Sequence, residues 1–546
     1  MQRALNRIQA PVRDIVNTSL QGRQPYEVAR LVVILGVALR ILRRVRCIVA
    51  REGLRRYLVG LAIPLLKRLP PVKKQIETEM QKIARSTGRQ FAEELTAPCR
   101  HLPKQGMPEK DILDLIAKRE QLDTKHWKAG KVTGAIYHGE QAHYDFIGDI
   151  YAKWAFTNPL HPAIHPALRQ MDSEVIRMVV NMYNGDEKCC GAFTTGGTES
   201  ILMAMKTYRD WALATKGVTE PNIVVCQTAH AAFFKAGLYF NIFVKEARTN
   251  DCQEVDLRHL TSLIDSNTVA IVGSCCQYAH GTVDPIEKMA KIACRKNIGL
   301  HVDCCLGGFL VPFMAKAGFE LPPFDFRVPG VTSISCDPHK YGFAPKGSSV
   351  VMFSSEELRR HMYCMVTDWV GGIYATPTLC GSRPGGVVAA TWASMVKHGE
   401  SGYIETTKQI VGACRRVAEG IREMDAVQLV GRPDVCCVAF DCSKESGMNC
   451  YAVADCMKQN FGWELGTCQR PPCVHLAFTL PNSKNAEVFL EDLQQTLEII
   501  KADKTGSFTK TAGVYGMAGS LPSSFIEPAA AAFLDAMTMS EFKDES

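Results

Sequence analysis

The chain has 546 residues, 46% hydrophobic and 22% charged, with a formal net charge of +7. That length exceeds one ordinary domain and leaves room for a large core with a second lobe. The balance is that of a globular protein and excludes a disordered one.

The charge is unevenly placed. Residues 1–100 carry 20 Lys+Arg against 7 Asp+Glu, a net of +13, which leaves −6 for the rest. Such a basic segment without interleaved aromatics suits a membrane surface better than nucleic acid, and no nucleic-acid partner is expected. Two apolar runs stand out, Leu31–Leu39 and Tyr57–Leu66, neither reaching the roughly 18 continuous residues of a clear spanning helix. A span from about Val28 to Leu42 would keep Arg30 and Arg40 near its ends and leave Arg43, Arg44 and Arg46 on the cytosolic side. The first 46 residues hold nine arginines, no lysine and two acids, which also suits a mitochondrial presequence.

Residues 1 to about 105 are read as anchor and linker, broken by Pro64, Pro70 and Pro71. A charged helical stretch between Pro108 and Lys131 leads into the body. From there to about residue 385, strand signals such as NIVVCQ, TVAIVGS, IGLHVD and VTSIS alternate with helical ones. Alternation of this kind predicts an α/β domain with a mainly parallel sheet wrapped by helices. A long helix over Val387–Met424, strands at Val427–Val430 and Cys437–Phe440, and a helix over Asn485–Lys501 predict a smaller α+β domain at 386–505. Residues 506–546 read as a peripheral tail.

Three segments of the large domain carry chemistry. In GAFTTGGTES, Gly191 to Ser200, glycines and Thr198 precede a helical pattern and leave N–H groups and a hydroxyl free for a phosphate, although ordinary turns use such pairs too. In NIGLHVDCCLGGF, a buried strand Ile298–Val302 sets Asp303 at its carboxyl end, where ligands bind in open α/β sheets. A carboxylate there can hold a protonated pyridine nitrogen, as pyridoxal phosphate (PLP) requires, or it can cap a helix. In VTSISCDPHKYGF, Lys340 follows a strand beside His339 and Tyr341. A lysine that attacks an aldehyde must first lose a proton, and desolvation beside other cations lowers its pKa. Phosphate loop, aspartate, then lysine is the chain order expected of a PLP enzyme. Between them His230 ends the strand from Asn222 and reads equally as a ring stacked on the pyridine or as a satisfied buried histidine.

The 22 cysteines include four adjacent pairs, at 189–190, 275–276, 304–305 and 436–437. No CxxC pair accompanies suitably placed histidines, so no zinc site is expected. Free thiols beside Asp303 imply a reducing compartment for the catalytic part.

Longer phrases make a resemblance specific. They are NPLHP from Asn158, TTGGTESILMA from Thr194, HVDCCLGGF from His301, FDFRVPGVTSIS from Phe324 and DPHKYGFAPKGSS from Asp337. TDWVGGIYATPT from Thr367, GSRPGG from Gly381 and VYGMA from Val514 continue the match over roughly Thr124 to Ala518. In these the chain resembles the sphingosine-1-phosphate lyase family, fold-type I PLP enzymes related to the group II amino acid decarboxylases. The family usually has a smaller residue where Cys304 stands, which suggests oxidation sensitivity at that position.

The resemblance implies that Lys340 carries PLP, Asp303 holds its ring nitrogen, and His230 stacks on the ring. It implies further that His339, Gly197 and Thr198 hold the PLP phosphate, with Asn158 beside the cofactor. Tyr137, His161 and Lys346 match the positions that bind the substrate phosphate, a phenol, an imidazole and an ammonium that can all donate to its oxygens. Gly381, Ser382 and Tyr374 are expected to reach the site of a neighbouring subunit in a homodimer, and Tyr515 to line the entrance. The implied reaction is a retro-aldol cleavage of a phosphorylated sphingoid base to a long-chain aldehyde and phosphoethanolamine. Its proton acceptor is left open among Tyr137, Lys340, a histidine and the substrate phosphate. The family arrangement places an anchor in the endoplasmic reticulum and the catalytic domain in the cytosol, with the mitochondrion as the alternative. An amino acid decarboxylase of the same fold, or an inactive membrane scaffold, are the rival readings.

Overall fold

The largest sheet runs in the order β1-β7-β6-β5-β4-β2-β3. In a computed structural model of the chain its strands are Cys190–Thr194 (β1), Asn222–Cys226 (β2), Phe243–Ala247 (β3), Thr268–Ser274 (β4), Gly299–Cys304 (β5), Ser333–Cys336 (β6) and Ser349–Phe353 (β7). The structure describes residues 101–123, 127–503, 507–508 and 523–538, with 32–40 and a few isolated positions before them. The apolar run Tyr57–Leu66, the arginines at 43, 44 and 46, and Tyr515 lie outside the described residues.

Strands β6, β5, β4, β2 and β3 pair in parallel, and only β7 runs against the rest, between β1 and β6. Every residue of β1, β2, β4, β5, β6 and β7 is buried. That follows from the sequences, because near-continuous apolar runs such as NIVVC and TVAIVGS need cover on both faces, and crossover helices supply it. The helix Gly197–Lys216 lies against the sheet through Ile201, Met205 and Tyr208, all buried. The parallel order places the carboxyl ends of β4, β5 and β6 side by side, which brings Asp303 and Asp337 to one edge of the sheet.

After the short hairpin Cys364–Val366 (β8) with Tyr374–Thr376 (β9), a second sheet is antiparallel, in the order β10-β11-β13-β12, with strands Val427–Leu429, Cys437–Cys442, Cys473–Ala477 and Gly466–Cys468 respectively. Helices Cys450–Phe461 and Ala486–Ala502 cover it, and Phe489 anchors the layer against Phe440 and Trp463, with ring centroids 6.4 Å and 5.0 Å away. The buried Trp463 Nε1–H donates to Asp492 at 2.7 Å, and Lys131 Nζ completes that carboxylate at 3.0 Å. This is the expected α/β large domain with a smaller α+β one. The helix Gly385–Arg422 serves both: it packs early on Gln141–Trp154 and Pro166–Met182, and late on β10, β11 and Ala486–Ala502. Gly399, at φ 56°, interrupts it.

Residues 103–521 form one compact unit and residues 1–102 with 522–546 another. In the second unit, the helical residues 32–40 expose Val32, Val33, Ile34 and Leu35, and the helix Ser523–Thr538 buries Ala532 and Ala536. Among the described residues no helix is long and apolar enough to cross a membrane.

Candidate active site

Past β6 the chain turns through Asp337–Gly342, and this turn presents Lys340. The Lys340 N–H donates to Asp337 O at 3.1 Å. A Cβ on Gly342 would stand 2.6 Å from Pro338 O, so the turn closes only on glycine. The buried Asp337 sets Oδ2 3.0 Å from Lys340 Nζ and 3.5 Å from His339 Nε2. Its Oδ1 and His339 Nδ1 are buried without a hydrogen-bond partner. The glycine loop meets this turn: a Cβ on Gly197 would lie 2.6 Å from Asp337 Oδ2 and 2.8 Å from Cys305 Sγ. Gly196, at φ 151°, is the residue before the helix Gly197–Lys216, and Thr198 is exposed on its first turn.

The expected lowering of the Lys340 pKa is corrected here. Burial pushes its ammonium down, but Asp337 foremost, with Cys305 and Tyr137, outweighs burial and raises it. The neighbour that is lowered is Lys346, brought down to about 8 by burial and by the charge of Lys340. His339 is lowered too, by burial, and stays neutral near pH 7.

Asp303 is the next-to-last residue of β5, and its Oδ1 accepts the Cys305 N–H at 3.0 Å and the Ser335 hydroxyl at 3.1 Å. No helix starts there, so it is not a helix cap. Behind it His301 bonds Ser333 and Ser335 at 2.7 and 3.2 Å. Burial pushes the Asp303 carboxyl up, while His230, His301 and the Cys305 N–H more than offset this and leave it lowered, hence ionised. His230 is exposed in the turn four residues past β2, not at its end, and its Nδ1 accepts the Ala232 N–H at 3.1 Å, which removes the buried reading and leaves the ring face open to a ligand. Cys304 is fully buried, so solvent oxidants reach it poorly.

Tyr137 and Lys346 come together: Nζ stands 4.4 Å from the ring centroid, and the ring meets Tyr341 edge-on at 4.9 Å. Burial raises the Tyr137 phenol and keeps it protonated. His161 is exposed on the turn after Asn158, and among the described residues no contact joins it to Tyr137 or Lys346. Its neighbours form another group. Asn158 Nδ2 donates to Ser382 Oγ at 3.0 Å, and a Cβ on Gly381 would lie 2.6 Å from the Tyr374 hydroxyl. This group is fastened to the glycine loop through Glu199, which accepts from Leu379 N at 3.0 Å and from Thr195 N and Oγ1 at 2.6 Å each.

Two residues escaped the sequence reading. Asp337 carries a readable signal, a carboxylate three positions before a reactive lysine and thus on the same turn. Glu199 carries none, since its partners Thr195 and Leu379 lie 184 residues apart.

The donor set suits pyridoxal phosphate. An ionised buried carboxylate, a lysine paired in the same pocket, a glycine cradle and an unpartnered imidazole nitrogen match its ring nitrogen, aldehyde and phosphate in turn. Comparison with known proteins agrees. Residues 96–443 match the pyridoxal-dependent decarboxylase conserved domain. The chain is 37% identical to sphingosine-1-phosphate lyase of Drosophila melanogaster, over 94% of each chain. It is 39% identical to that of Saccharomyces cerevisiae, over 85% of this chain and 80% of the relative. The chain belongs to the sphingosine-1-phosphate lyase family. The solved sphingosine-1-phosphate lyase of Burkholderia pseudomallei superposes with a TM-score of 0.71 at 35% identity, covering 78% of this chain and 98% of that one. A Lactobacillus brevis glutamate decarboxylase, at 20% identity, 75% and 97% coverage and a TM-score of 0.64, shares the fold. The cofactor of the family, pyridoxal phosphate, is therefore this enzyme's cofactor.

Proposed function

We propose that the chain cleaves sphingosine 1-phosphate and related phosphorylated sphingoid bases at C2–C3, in sphingolipid degradation. The products are a long-chain aldehyde and phosphoethanolamine. The observation that carries this reading is the Tyr137–Lys346 pair at 4.4 Å beside the Lys340 pocket, a donor set for a phosphate that a free amino acid does not have. PLP, when bound, supplies an aldehyde that takes up amines covalently and a ring that accepts the electron pair of the breaking bond.

The chain's own residues would do the rest. Lys340 would hold the cofactor's aldehyde carbon, the position at which the substrate amine would be taken up. Asp303, Asn158 and His230 hold and orient the ring; Gly197, Thr198 and His339 hold its phosphate. Tyr137 and Lys346 would bind the substrate phosphate, joined by the partner subunit's His161. A phenol raised by burial stays protonated, so Tyr137 is a donor and not the base. Lys340, released as an amine, takes the C3 hydroxyl proton as the C2–C3 bond breaks, and its ammonium returns that proton to C2. Asp337, 3.0 Å away, stabilises the ammonium between those events.

A homodimer accounts for the apolar surface around the Asn158–Ser382 group. Phe156 is 81% exposed, Val370 101% and Ile373 79%, large apolar side chains that a partner surface would cover. In that dimer Gly381, Ser382, Tyr374 and His161 would serve the neighbouring site. The basic N-terminal segment would hold the enzyme at a membrane, in the endoplasmic reticulum, with the mitochondrion as the other candidate.

Turnover of sphingosine 1-phosphate with added PLP, read as aldehyde and phosphoethanolamine, tests the function against carbon dioxide release from amino acids. Aldehyde without carbon dioxide is expected. Carbon dioxide alone would move the chain to the decarboxylases, and neither product, despite bound PLP, would leave only the fold.

A further inference from the structure

Three histidines meet on the far side of the catalytic turn. His138 follows Tyr137, His143 lies in the helix Gln141–Trp154, and His398 stands at the Gly399 break of the helix Gly385–Arg422. One ring nitrogen from each lies within 4.8 Å of the other two. The rings of His138 and His143 stack at 4.0 Å, and His398 faces them at 5.5 and 5.2 Å.

Aromatic packing alone does not explain the hydrogen bonds. His143 Nε2 lies 2.8 Å from Phe343 O, and His398 Nδ1 lies 2.9 Å from Ser394 O. A carbonyl only accepts, so each of these nitrogens carries its proton and the other nitrogen of each neutral ring presents a lone pair. For His143 that nitrogen, Nδ1, is buried and has no partner, in a residue 2% exposed. A buried acceptor without a donor is a cost that a ligand can remove. One ring N–H bonded to a backbone carbonyl is also the outer arrangement that orients metal-binding histidines.

We propose that His138, His143 and His398 bind one divalent transition-metal ion, zinc before others. Three neutral imidazoles suit Zn²⁺, which takes N ligands at about 2.0–2.1 Å and a fourth from protein or water. Burial and the neighbouring rings keep all three neutral: His138 is lowered to about 3, and His143 and His398 are lowered as well. The Glu140 carboxylate favours a cation nearby but stands outside the cluster, where its backbone N–H donates to His138 Nδ1 at 3.4 Å, so a water completes the shell. Lys397 and Lys484 oppose it, and the Lys397 ammonium is drawn aside over the Phe146 ring at 4.5 Å. The ion would tie the Tyr137 segment to the Phe343 end of the lysine turn and to the Gly399 break, a brace for the pocket and not part of the reaction. Cysteine spacing, on which no zinc site is expected, is blind to it, because the ligands come from two distant segments.

The test uses the full-length, PLP-loaded protein, stripped with a chelator and desalted. It is titrated with Co²⁺ as the spectroscopic probe and with Zn²⁺ in competition, with metal content measured directly. The wild type should take up one equivalent with visible bands of tetrahedral, imidazole-bound cobalt, displaced by zinc. His398→Phe keeps an aromatic ring and His138→Gln keeps a polar one, and each should weaken binding at least about tenfold, the lower end of what losing a mere supporting group costs a metal site. Unchanged cofactor absorbance in both variants shows that they fold. No stoichiometric uptake by the wild type, binding unaltered in both variants, or thiolate-to-cobalt charge transfer would overturn the site. If neither variant folds, the wild-type cobalt spectrum decides alone.

Discussion

Lys346 allows the substrate-phosphate assignment to be tested through charge alone. Its pKa is lowered to about 8, so the ammonium is present below pH 8 and is lost as pH rises through it, while a free lysine would stay charged to about 10. A charge-assisted hydrogen bond contributes about 1.5–3 kcal/mol, or roughly 10- to 150-fold in binding. Lys346 is lowered by partial burial but still reached by solvent, so screening places it at the lower end. Lys346→Met should therefore lower kcat/KM about tenfold at pH 7. Between pH 7 and 9 the wild type should lose most of that factor and the Met variant nearly none. A phosphate monoester has completed its second ionisation by then, near pH 6, and does not distort the comparison. Lys346→Arg keeps the charge throughout, so its profile should stay flat over the window whatever its absolute rate. Initial rates of aldehyde release across that range decide the matter. If the arginine variant falls with pH as steeply as the wild type, the titrating group is not Lys346. If the methionine variant keeps full kcat/KM at pH 7, Lys346 does not meet the phosphate.

Lys340→Ala should abolish turnover and also the borohydride-fixable cofactor absorbance; activity in that variant would sink the assignment of the lysine. Gly197→Ala places a methyl group 2.6 Å from Asp337 Oδ2, and overpacking on that scale costs about 1–3 kcal/mol, to be read as a PLP titration weakened roughly 5- to 150-fold. Asp303→Asn keeps the contacts to Cys305 and Ser335 and removes the charge, so kcat should fall by about two orders of magnitude or more with PLP still bound, as when one preorganised electrostatic partner is lost. Val370→Asp, at a fully exposed apolar position, should give a monomer by sedimentation if the apolar surface is the dimer face, and a wild-type sedimentation profile would reject that face.

The parallel sheet was readable because its strands are short apolar runs between helical patterns, and so was the late helix, expected from Val387 and observed from Gly385. Strand β7 was not, since SVVMF has no mark of direction and its antiparallel insertion between β1 and β6 is a property of pairing. The hairpin Cys364–Val366 with Tyr374–Thr376 was hidden for a related reason: its residues are mostly exposed and lack the alternation that one buried face imposes. Asp303, Lys340 and Gly197 could be singled out because strand ends and glycine turns leave local traces, and the fold brings Lys340 and Gly197 together at Asp337. The pairing of Tyr137 with Lys346 is a contact across 209 positions, and only the resemblance reached it.

The Lys340 pKa is the instructive miss. Cationic neighbours and burial both argue for a lowered value; burial acts here, but Asp337 at 3.0 Å, with Cys305 and Tyr137, outweighs it. At that separation the Coulomb energy between unit charges is several kcal/mol even at an effective dielectric of about 20. The outcome suits the chemistry better than the expectation did. As the nucleophile that must displace the product amine in each turnover, Lys340 would act as the free amine left once its proton has passed to C2, so a low pKa is not what that step requires. An amine that must repeatedly accept a proton from a hydroxyl gains from a high one, because each increment of basicity lowers the cost of that transfer. Asp337 supplies that basicity from within one turn of backbone. It is held there because β6 ends at Cys336 and the turn closes on Gly342, so that any displacement of the turn would separate the acid from the amine. Asp337→Asn, which keeps the shape and removes the charge, should therefore slow the cleavage step more than it weakens substrate binding, with kcat falling and KM nearly constant. A change in KM alone would mean that Asp337 serves binding and that the proton goes elsewhere.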